Sequence, residues 1–227
     1  IVQKNKLDKS IKLLKQTHST QVLKGILEES DKFSAAMCNP PFYGSQEEAM
    51  MANTRKLTGL GNENDANLRN FGGKQQELWY KGGEKAFLHT YLYESSMFKT
   101  QCFWYSSLVS KKENVEGMCD SLKKLKATNI KMAIHNHGPE DKLYPSPKDV
   151  YDRIKDMDPR MGLCIDIGHS FRAGVLPEKA VVDYKDRLFD LHIKDVTAMA
   201  KDAKVIEIGR GAINFPAFVK ALRKIKY

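Results

Sequence analysis

Short apolar runs alternate with amphipathic stretches along most of the chain, a pattern typical of repeated strand and helix units. Period and length predict strands at 11–14, 33–38, 102–109, 130–134, 162–167, 188–193 and 205–208. They predict helices at 21–28, 84–98, 115–127, 147–157, 177–184 and 215–226. The strand at 33–38 is expected to be buried, and residues 43–83 to form a long irregular loop. This order predicts an α/β fold with mostly parallel strands.

Length and composition narrow the class of protein. With 227 residues, 41% of them hydrophobic and 29% charged, the chain suits a soluble globular protein of one large or two small domains. No apolar stretch is long enough to span a membrane, and the first residues lack the apolar core of a signal peptide. The absence of a Cys-x-x-Cys pair predicts reduced thiols and a cytoplasmic location. Opening on Ile1 rather than methionine indicates a fragment.

The net charge of +9 changes this picture little, because residues 1–130 and 131–227 share it almost evenly. A basic total permits phosphate contacts with nucleic acid, but lysine-rich helix faces in solvent give the same total. Charge therefore selects no partner, and nothing in the sequence assigns an oligomeric state.

The first candidate site follows the strand at 33–38. Ligands of open α/β sheets bind beyond the carboxyl ends of the strands, where Asn39, Pro40, Pro41 and Phe42 stand. The Asn39 side-chain oxygen and the Pro40 carbonyl can each accept a hydrogen bond from an exocyclic amino group. Phe42 can stack on an extruded base, which contributes about 1–3 kcal/mol. The alternative is a turn that merely closes the strand.

Four ordered motifs extend this interpretation: CNPPF at 38–42, NFGGKQQELW at 70–79, GGE at 82–84 and WYSSLVS at 104–110. Over about residues 1–129 they resemble the bacterial 23S ribosomal RNA adenine-N6 methyltransferases. The resemblance implies S-adenosylmethionine as methyl donor and an RNA adenine as acceptor. It implies that the base is held by Asn39, Pro40, Pro41 and Phe42, and that RNA is bound by loop residues including Lys74 and Trp79.

The methyl donor has no evident site in this sequence. Such enzymes bind it at a glycine-rich turn after their first strand. No Gly-x-Gly precedes Asn39, and the one at 59–61 lies inside the loop with no strand before it. We therefore assign no cofactor-binding residue and expect a base clamp without its donor site.

The second candidate site lies at the ends of the later strands. Because side chains alternate along a strand, His135 and His137 share one face, and so do His192 and Lys194. Asp166 and His169 lie at the end of the predicted strand that comes between these two in the sequence. Imidazoles and a carboxylate that converge suit a divalent metal such as Mn, Co or Zn. The alternative is that these histidines are satisfied structural residues.

The motifs HNHGPE at 135–140, CIDIGH at 164–169, LHIKD at 191–195 and GRGAINF at 209–215 resemble the xylose-isomerase-like sugar phosphate isomerases and epimerases. The resemblance covers about residues 130–227 and implies a sugar or sugar phosphate substrate. It implies metal ligands at Asp166, His192 and Glu140, substrate contacts from His137 and His169, and a catalytic Lys194 that stabilises an enediolate. The leading βα units of that barrel and a final carboxylate ligand are missing from this sequence.

Three hypotheses follow: an RNA adenine methyltransferase module, a metal-dependent sugar isomerase or epimerase, and a chimera of two fragments with neither activity intact. In each, residues 1–129 form a partial methyltransferase domain and residues 130–227 a partial sugar isomerase-like domain. The predicted fold is a partial Rossmann-like sheet joined to a partial (β/α) barrel. The barrel strands, beginning with the strand at 130–134, are expected to continue or abut the first sheet.

Overall fold

The computed structural model describes residues 2–51 and 78–227. By their internal contacts, the residues form two compact units, Ile1–Thr128 and Asn129–Tyr227. Lys74 and the glycine pair at 59–61 lie outside the described residues. In the described ranges, no helix combines the length and the apolar character needed to cross a membrane.

The described part of the first unit contains a two-stranded parallel sheet and two long helices, and residues 46–51 are also helical, so the loop expected at 43–83 is not irregular throughout. Its elements are β1 (Phe33–Cys38), α1 (Gly83–Met97), β2 (Cys102–Ser107) and α2 (Lys112–Lys124). All four match predicted elements to within a few residues. The expected burial of β1 is wrong, because Met37 is 85% exposed and Phe103, on β2, is 87% exposed. Leu88 and Tyr91 of α1 are buried and belong to the core of this unit.

Two predicted elements near the N-terminus are wrong. Residues 11–14 form no strand and no neighbouring strand pairs with them in the described chain, which leaves Leu13 exposed. Residues 21–28 form turns instead of a helix. The buried carboxylate of Glu94 accepts hydrogen bonds from the N–H groups of residues 22–24 at 2.6–2.9 Å, and Gly25 then adopts a φ of 81°. This left-handed residue ends the turn before a helix can propagate.

The second unit contains a three-stranded parallel sheet flanked by helices. Its elements are β3 (Met132–His135), α3 (Pro147–Ile154), β4 (Met161–Asp166), α4 (Ile167–Arg172), α5 (Pro177–Asp183), β5 (Leu188–His192), β6 (Asp195–Val196), β7 (Val205–Ile206) and α6 (Phe215–Ile225). The strand order is β3-β4-β5, and β6 pairs with β7 in a separate antiparallel ladder. The mixed α/β class with mostly parallel strands is confirmed.

Two details of the second unit differ from the predictions. The strand at 130–134 does not continue the first sheet, because β3 pairs with β4 and the strand pairs of the two units belong to separate sheets. Helix α4 was missed, because Asp166 both ends β4 and caps the helix that begins at the next residue. The core is continuous and apolar, and it includes Val150, Ile154, Leu163, Ile165 and Val181. Each such side chain contributes about 1.5–3 kcal/mol on burial.

A buried carboxylate organises the loop that follows β7. Asp195 is fully buried and accepts four backbone hydrogen bonds, from the N–H groups of Val196, Gly209, Gly211 and Ile213, at 2.8–3.3 Å. A side chain at Gly211 would place its Cβ 2.3 Å from Asp195 Oδ1, so only glycine allows this approach. Although burial by itself raises the pKa of Asp195, the four N–H donors lower it below its usual value.

Replacing this acceptor tests its role in stability. Asp195→Asn places an amide N–H2 against backbone donors, and we expect the free energy of unfolding to fall by about 2–4 kcal/mol at neutral pH. Because the pKa of Asp195 is lower in the folded state, its stabilisation is present above about pH 4 and is lost as the pH falls through the folded value. Urea unfolding measures both effects. Asp202→Asn, at an exposed aspartate, is the control, and equal losses in the two variants would contradict this role.

Candidate functional site

In the first unit, the segment after β1 presents an unpaired amide. Asn39 and Phe42 are exposed, Pro40 is buried, and Pro41 is half-buried. Within residues 2–51 and 78–227, no group donates a hydrogen bond to the Asn39 side chain or accepts one from it. The buried proline fixes the backbone of this segment, while the Asn39 amide and the Phe42 ring face solvent.

Trp79 joins this segment through a short parallel bridge. The Tyr43 N–H donates to the Leu78 carbonyl at 3.3 Å, and the Tyr80 N–H donates to the Tyr43 carbonyl at 3.0 Å. Tyr43 directly follows Phe42, so the two aromatic residues predicted to contact RNA come from adjoining segments. The buried Trp79 Nε1 makes no hydrogen bond with the described part of the chain.

A buried glutamate supports the same region, and sequence reasoning gave it no role. Glu84, in the first turn of α1, accepts hydrogen bonds from the Ser110 N–H at 2.6 Å and from Asn114 Nδ2 at 2.7 Å. It ties the start of α1 to the segment between β2 and α2. The motifs at 82–84 and 104–110 therefore meet through one carboxylate.

In the second unit, strand register gathers the candidate metal and substrate residues. His135 on β3 lies opposite Cys164 on β4, and Asp166 on β4 lies opposite His192 on β5. Cys164 and Asp166 are two residues apart and therefore share a face. All four side chains accordingly belong to one face of the sheet at its carboxyl end.

The imidazole rings lie close together around His135. Its ring centroid lies 4.4 Å from that of His192, 4.8 Å from that of His137 and 6.0 Å from that of His169. The structure thus brings together the histidines that the sequence assigned separately to metal and to substrate.

Asp166 is the fully buried anion of this cluster. Its Oδ2 forms an ion pair with Lys194 Nζ at 2.8 Å and lies 3.4 Å from His135 Nε2, and neither contact has hydrogen-bond geometry. Its Oδ1 accepts from the His169 N–H at 2.8 Å and so caps α4. Although burial by itself raises the pKa of Asp166, the contacts with His135, Lys194 and the His169 N–H hold it well below its usual range.

Asn136 positions Asp166, a role that sequence reasoning missed. It is buried; its Oδ1 accepts from the Asp166 N–H at 2.9 Å, and its Nδ2 donates to the Asp166 carbonyl at 3.4 Å. The sequence signal for this role was an asparagine that stands between two histidines at the end of a predicted strand. Gly168 allows the Lys194 side chain to pack closely against it, because a Cβ at this position would lie 2.9 Å from Lys194 side-chain carbons.

The donor set fits a divalent metal ion, with one exception. A nitrogen of His135, a nitrogen of His192 and the Cys164 sulfur all lie within 4.8 Å of one another. His135 Nε2 is buried and makes no hydrogen bond to the described chain, as expected of an atom that a metal would satisfy. Glu140 is not in this group; its half-exposed carboxylate accepts from Arg172 Nη2 at 2.5 Å.

Loss of solvent around the cluster favours the uncharged form of His137, His169 and His192. It lowers the pKa of His169 to about 4, with nearby Lys194 and His135 adding to the effect and Asp166 opposing it. Burial and the neighbouring His135 also lower the pKa of His137 and His192. Neutral imidazoles are the form that binds metal ions or accepts protons.

Two families of known proteins match overlapping parts of the chain. Residues 1–141 match the family described as RNA methyltransferase, and residues 100–227 match the family described as xylose isomerase-like TIM barrel. The chain therefore belongs to both families, each over its own part, and both sequence resemblances are confirmed. The shared residues 100–141 contain β2, α2 and β3, the strand–helix alternation that both folds use.

The curated relatives match the first part of the chain. The ribosomal RNA large subunit methyltransferase F of Pectobacterium carotovorum subsp. carotovorum (strain PC1) is 43% identical over 125 residues, which cover 55% of this chain and 40% of that protein. The protein of the same name from Shewanella woodyi (strain ATCC 51908 / MS32) is 41% identical over 129 residues, covering 51% and 34%. The chain thus spans about two fifths or less of these relatives.

A structural comparison covers more of the chain at lower similarity. The crystal structure of a D-tagatose 3-epimerase-like protein aligns with 86% of this chain and 79% of its own, at 15% identity and a TM-score of 0.49.

Titration of His169 tests the electrostatics of the site. We expect the metal-free protein to show its His169 ring signal titrating near pH 4, because burial disfavours the imidazolium form. Proton–carbon NMR measures the midpoint, and His169→Gln assigns the signal. Lys194→Gln removes a neighbouring cation and should move the midpoint upward. A midpoint near the ordinary value of about 6.5 would show that the ring is not buried in this way.

Proposed function

We propose that the first unit holds an RNA adenine for N6 methylation by S-adenosylmethionine. The observation that carries the proposal is the segment 39–42, where the Asn39 amide and the Phe42 ring are exposed at the carboxyl end of β1. Relatives that are more than 40% identical over this part are named ribosomal RNA large subunit methyltransferase F. An RNA, specifically ribosomal RNA, is the proposed partner.

The segment 39–42 would act by holding the adenine amino group in a fixed position. The Asn39 oxygen and the Pro40 carbonyl accept the two hydrogens of the adenine amino group and direct its lone pair outward. Phe42 stacks on the base, and Trp79, with Lys74 of the undescribed segment, binds the flanking RNA. No described residue forms the glycine-rich turn that holds the methyl donor, so the proposal is confined to the acceptor base.

Base analogues test the clamp directly. We expect a short single-stranded RNA with one adenosine to bind more tightly than the same RNA with purine riboside, which lacks the amino group. Asn39→Ala should abolish this difference, and Phe42→Ala should weaken binding of both RNAs by roughly 5- to 150-fold, because stacking contributes about 1–3 kcal/mol. Fluorescence anisotropy measures the affinities. Tyr93→Ala, at an exposed aromatic residue of α1, is the control. Equal affinity of the unaltered protein for both RNAs would contradict the proposal.

We propose a second function for the second unit, a divalent-metal-dependent isomerase or epimerase acting on a sugar or sugar phosphate. The specific observation in its favour is the convergence of His135, His192, Asp166 and Lys194 on one face of the sheet. A metal ion bound there would polarise the substrate carbonyl. Asp166 and His192 are the residues that the family resemblance assigns to that ion; Glu140 would have to leave Arg172 to join them.

The remaining residues have roles around the substrate. Proton transfer between carbons adjacent to a carbonyl passes through an enediolate, whose negative oxygen needs a fixed positive charge. Lys194 supplies that charge, and the contact of its Nζ with His169 Nε2, at 3.2 Å, holds it in place. The neutral imidazoles of His137 and His169 bind substrate hydroxyl groups.

Deuterium exchange tests this function for a whole class of sugars at once. We expect the metal-loaded protein to replace a carbon-bound hydrogen of at least one ketose or ketose phosphate with deuterium from D2O. NMR measures this exchange. Lys194→Gln should slow exchange by about 100- to 1,000-fold, as loss of an oxyanion donor does. Lys204→Gln, at an exposed lysine, should leave the rate unchanged. A panel of ketopentoses and ketohexoses that shows no exchange would contradict the isomerase function. Failure of both this test and the RNA test would support the chimera hypothesis.

A further inference from the structure

The likeness to sugar isomerases assigns metal binding to His192 with the carboxylates of Asp166 and Glu140, yet the strand register places His192 beside two other donors, His135 and Cys164. His135 lies opposite Cys164 in the β3–β4 ladder, and His192 ends the neighbouring strand on the same face. Their ligand atoms, two imidazole nitrogens and one sulfur, lie within 4.8 Å of one another. Ligands of a tetrahedral metal are about 3.5 Å apart, so small side-chain rotations suffice to close the site.

The competing ligand, Asp166, is already engaged at both oxygens. Its Oδ1 accepts the capping hydrogen bond from the His169 N–H, and its Oδ2 lies 2.8 Å from the Lys194 ammonium. A metal at Asp166 would have to displace a cation. His135 Nε2 lies 3.4 Å from the same Oδ2 but is buried without a hydrogen bond in the described chain, and Cys164 is a buried free thiol that forms no hydrogen bond there.

A register change between β4 and β5 helps to place His192 on this face, because Phe189 is an extra residue in β5. The pairing of β4 with β5 shifts between Leu163 and Cys164. Irregularities of this kind re-aim side chains and are common beside functional sites. From sequence alone Cys164 is a thiol in an apolar run, because its neighbours depend on how β3, β4 and β5 pair.

We infer that His135, Cys164 and His192 form a zinc site with two imidazole ligands and one thiolate ligand. A thiolate favours Zn²⁺ over harder ions such as Mn²⁺ or Mg²⁺. Three protein ligands leave a fourth position for water or substrate, which is the arrangement of catalytic rather than structural zinc. The inference refines the metal site of the isomerase function proposed above, and it assigns Asp166 to holding Lys194 and α4 rather than to the metal.

Binding requires no redox partner. The metal–sulfur bond forms as the Cys164 S–H bond breaks, and the proton leaves to solvent, so each ion bound releases one proton from the thiol. The two imidazoles donate lone pairs and keep their N–H protons on the opposite ring nitrogens.

Cobalt substitution provides a readout that does not depend on activity. We expect Co²⁺ to bind the full chain at one ion per molecule and to give a near-ultraviolet sulfur-to-cobalt charge-transfer band, with Zn²⁺ displacing it and Mn²⁺ failing to do so. Cys164→Ser should abolish the band and weaken Zn²⁺ binding by at least about tenfold. Loss of a residue that only hydrogen-bonds to a metal ligand already weakens metal binding by about 10- to 100-fold. Cys119→Ser, at a half-buried cysteine of α2, is the matched control and should retain both properties.

Two further measurements separate this ligand set from its alternative. Asp166→Asn should keep the charge-transfer band, whereas a site built on Asp166 would lose metal in that variant and keep it in Cys164→Ser; that outcome would overturn the inference. X-ray absorption on the unaltered zinc-loaded protein avoids any folding defect of the variants and should show one sulfur neighbour at about 2.3 Å. A shell of nitrogen and oxygen only would also overturn it. Sulfur in the shell without any sugar exchange would leave the zinc site standing and remove only the isomerase function.

Discussion

The parallel register of β3, β4 and β5 is the constraint on which the second unit's chemistry depends. It sets His135 opposite Cys164 and Asp166 opposite His192, so residues 57 positions apart along the chain share one face. Asn136 then fixes the Asp166 backbone from both sides, and the Asp166 carboxylate begins α4 and returns His169 to the site. A slip of one residue would turn every one of these side chains to the opposite face.

Buried carboxylates take a comparable part in loops of both units. Glu84 joins α1 to the segment after β2, Glu94 gathers the turn at 22–24, and Asp195 gathers the loop at 209–213. Each accepts backbone or amide N–H groups that would otherwise be unsatisfied in the interior. In the first unit, where Met37 and Phe103 of the sheet are exposed, such bonds fix the turn at 22–24 and join the start of α1 to Ser110 and Asn114.

Elements with strong periodicity and clear ends could be predicted from the sequence: β1, α1, β4 and α6 lie within a residue or two of their expected bounds. Convergence of the histidines with Asp166 and Lys194 followed from their places at strand ends. Contacts from distant parts of the chain could not be predicted. Glu94 replaces the helix expected at 21–28 with a turn, Arg172 engages Glu140, and the pairing of β3 with β4 sets Cys164 opposite His135.

Membership of two families thus corresponds to two sets of side chains with separate chemistry, one suited to a planar amine and one to a divalent ion. The central physical claim is that strand register, more than any single motif, builds the second set. Anomalous diffraction at the zinc edge from crystals of the zinc-loaded protein tests it most directly. The account predicts one peak bounded by His135, Cys164 and His192; a peak at Glu140, or beside Asp166 with Lys194 displaced, would contradict it.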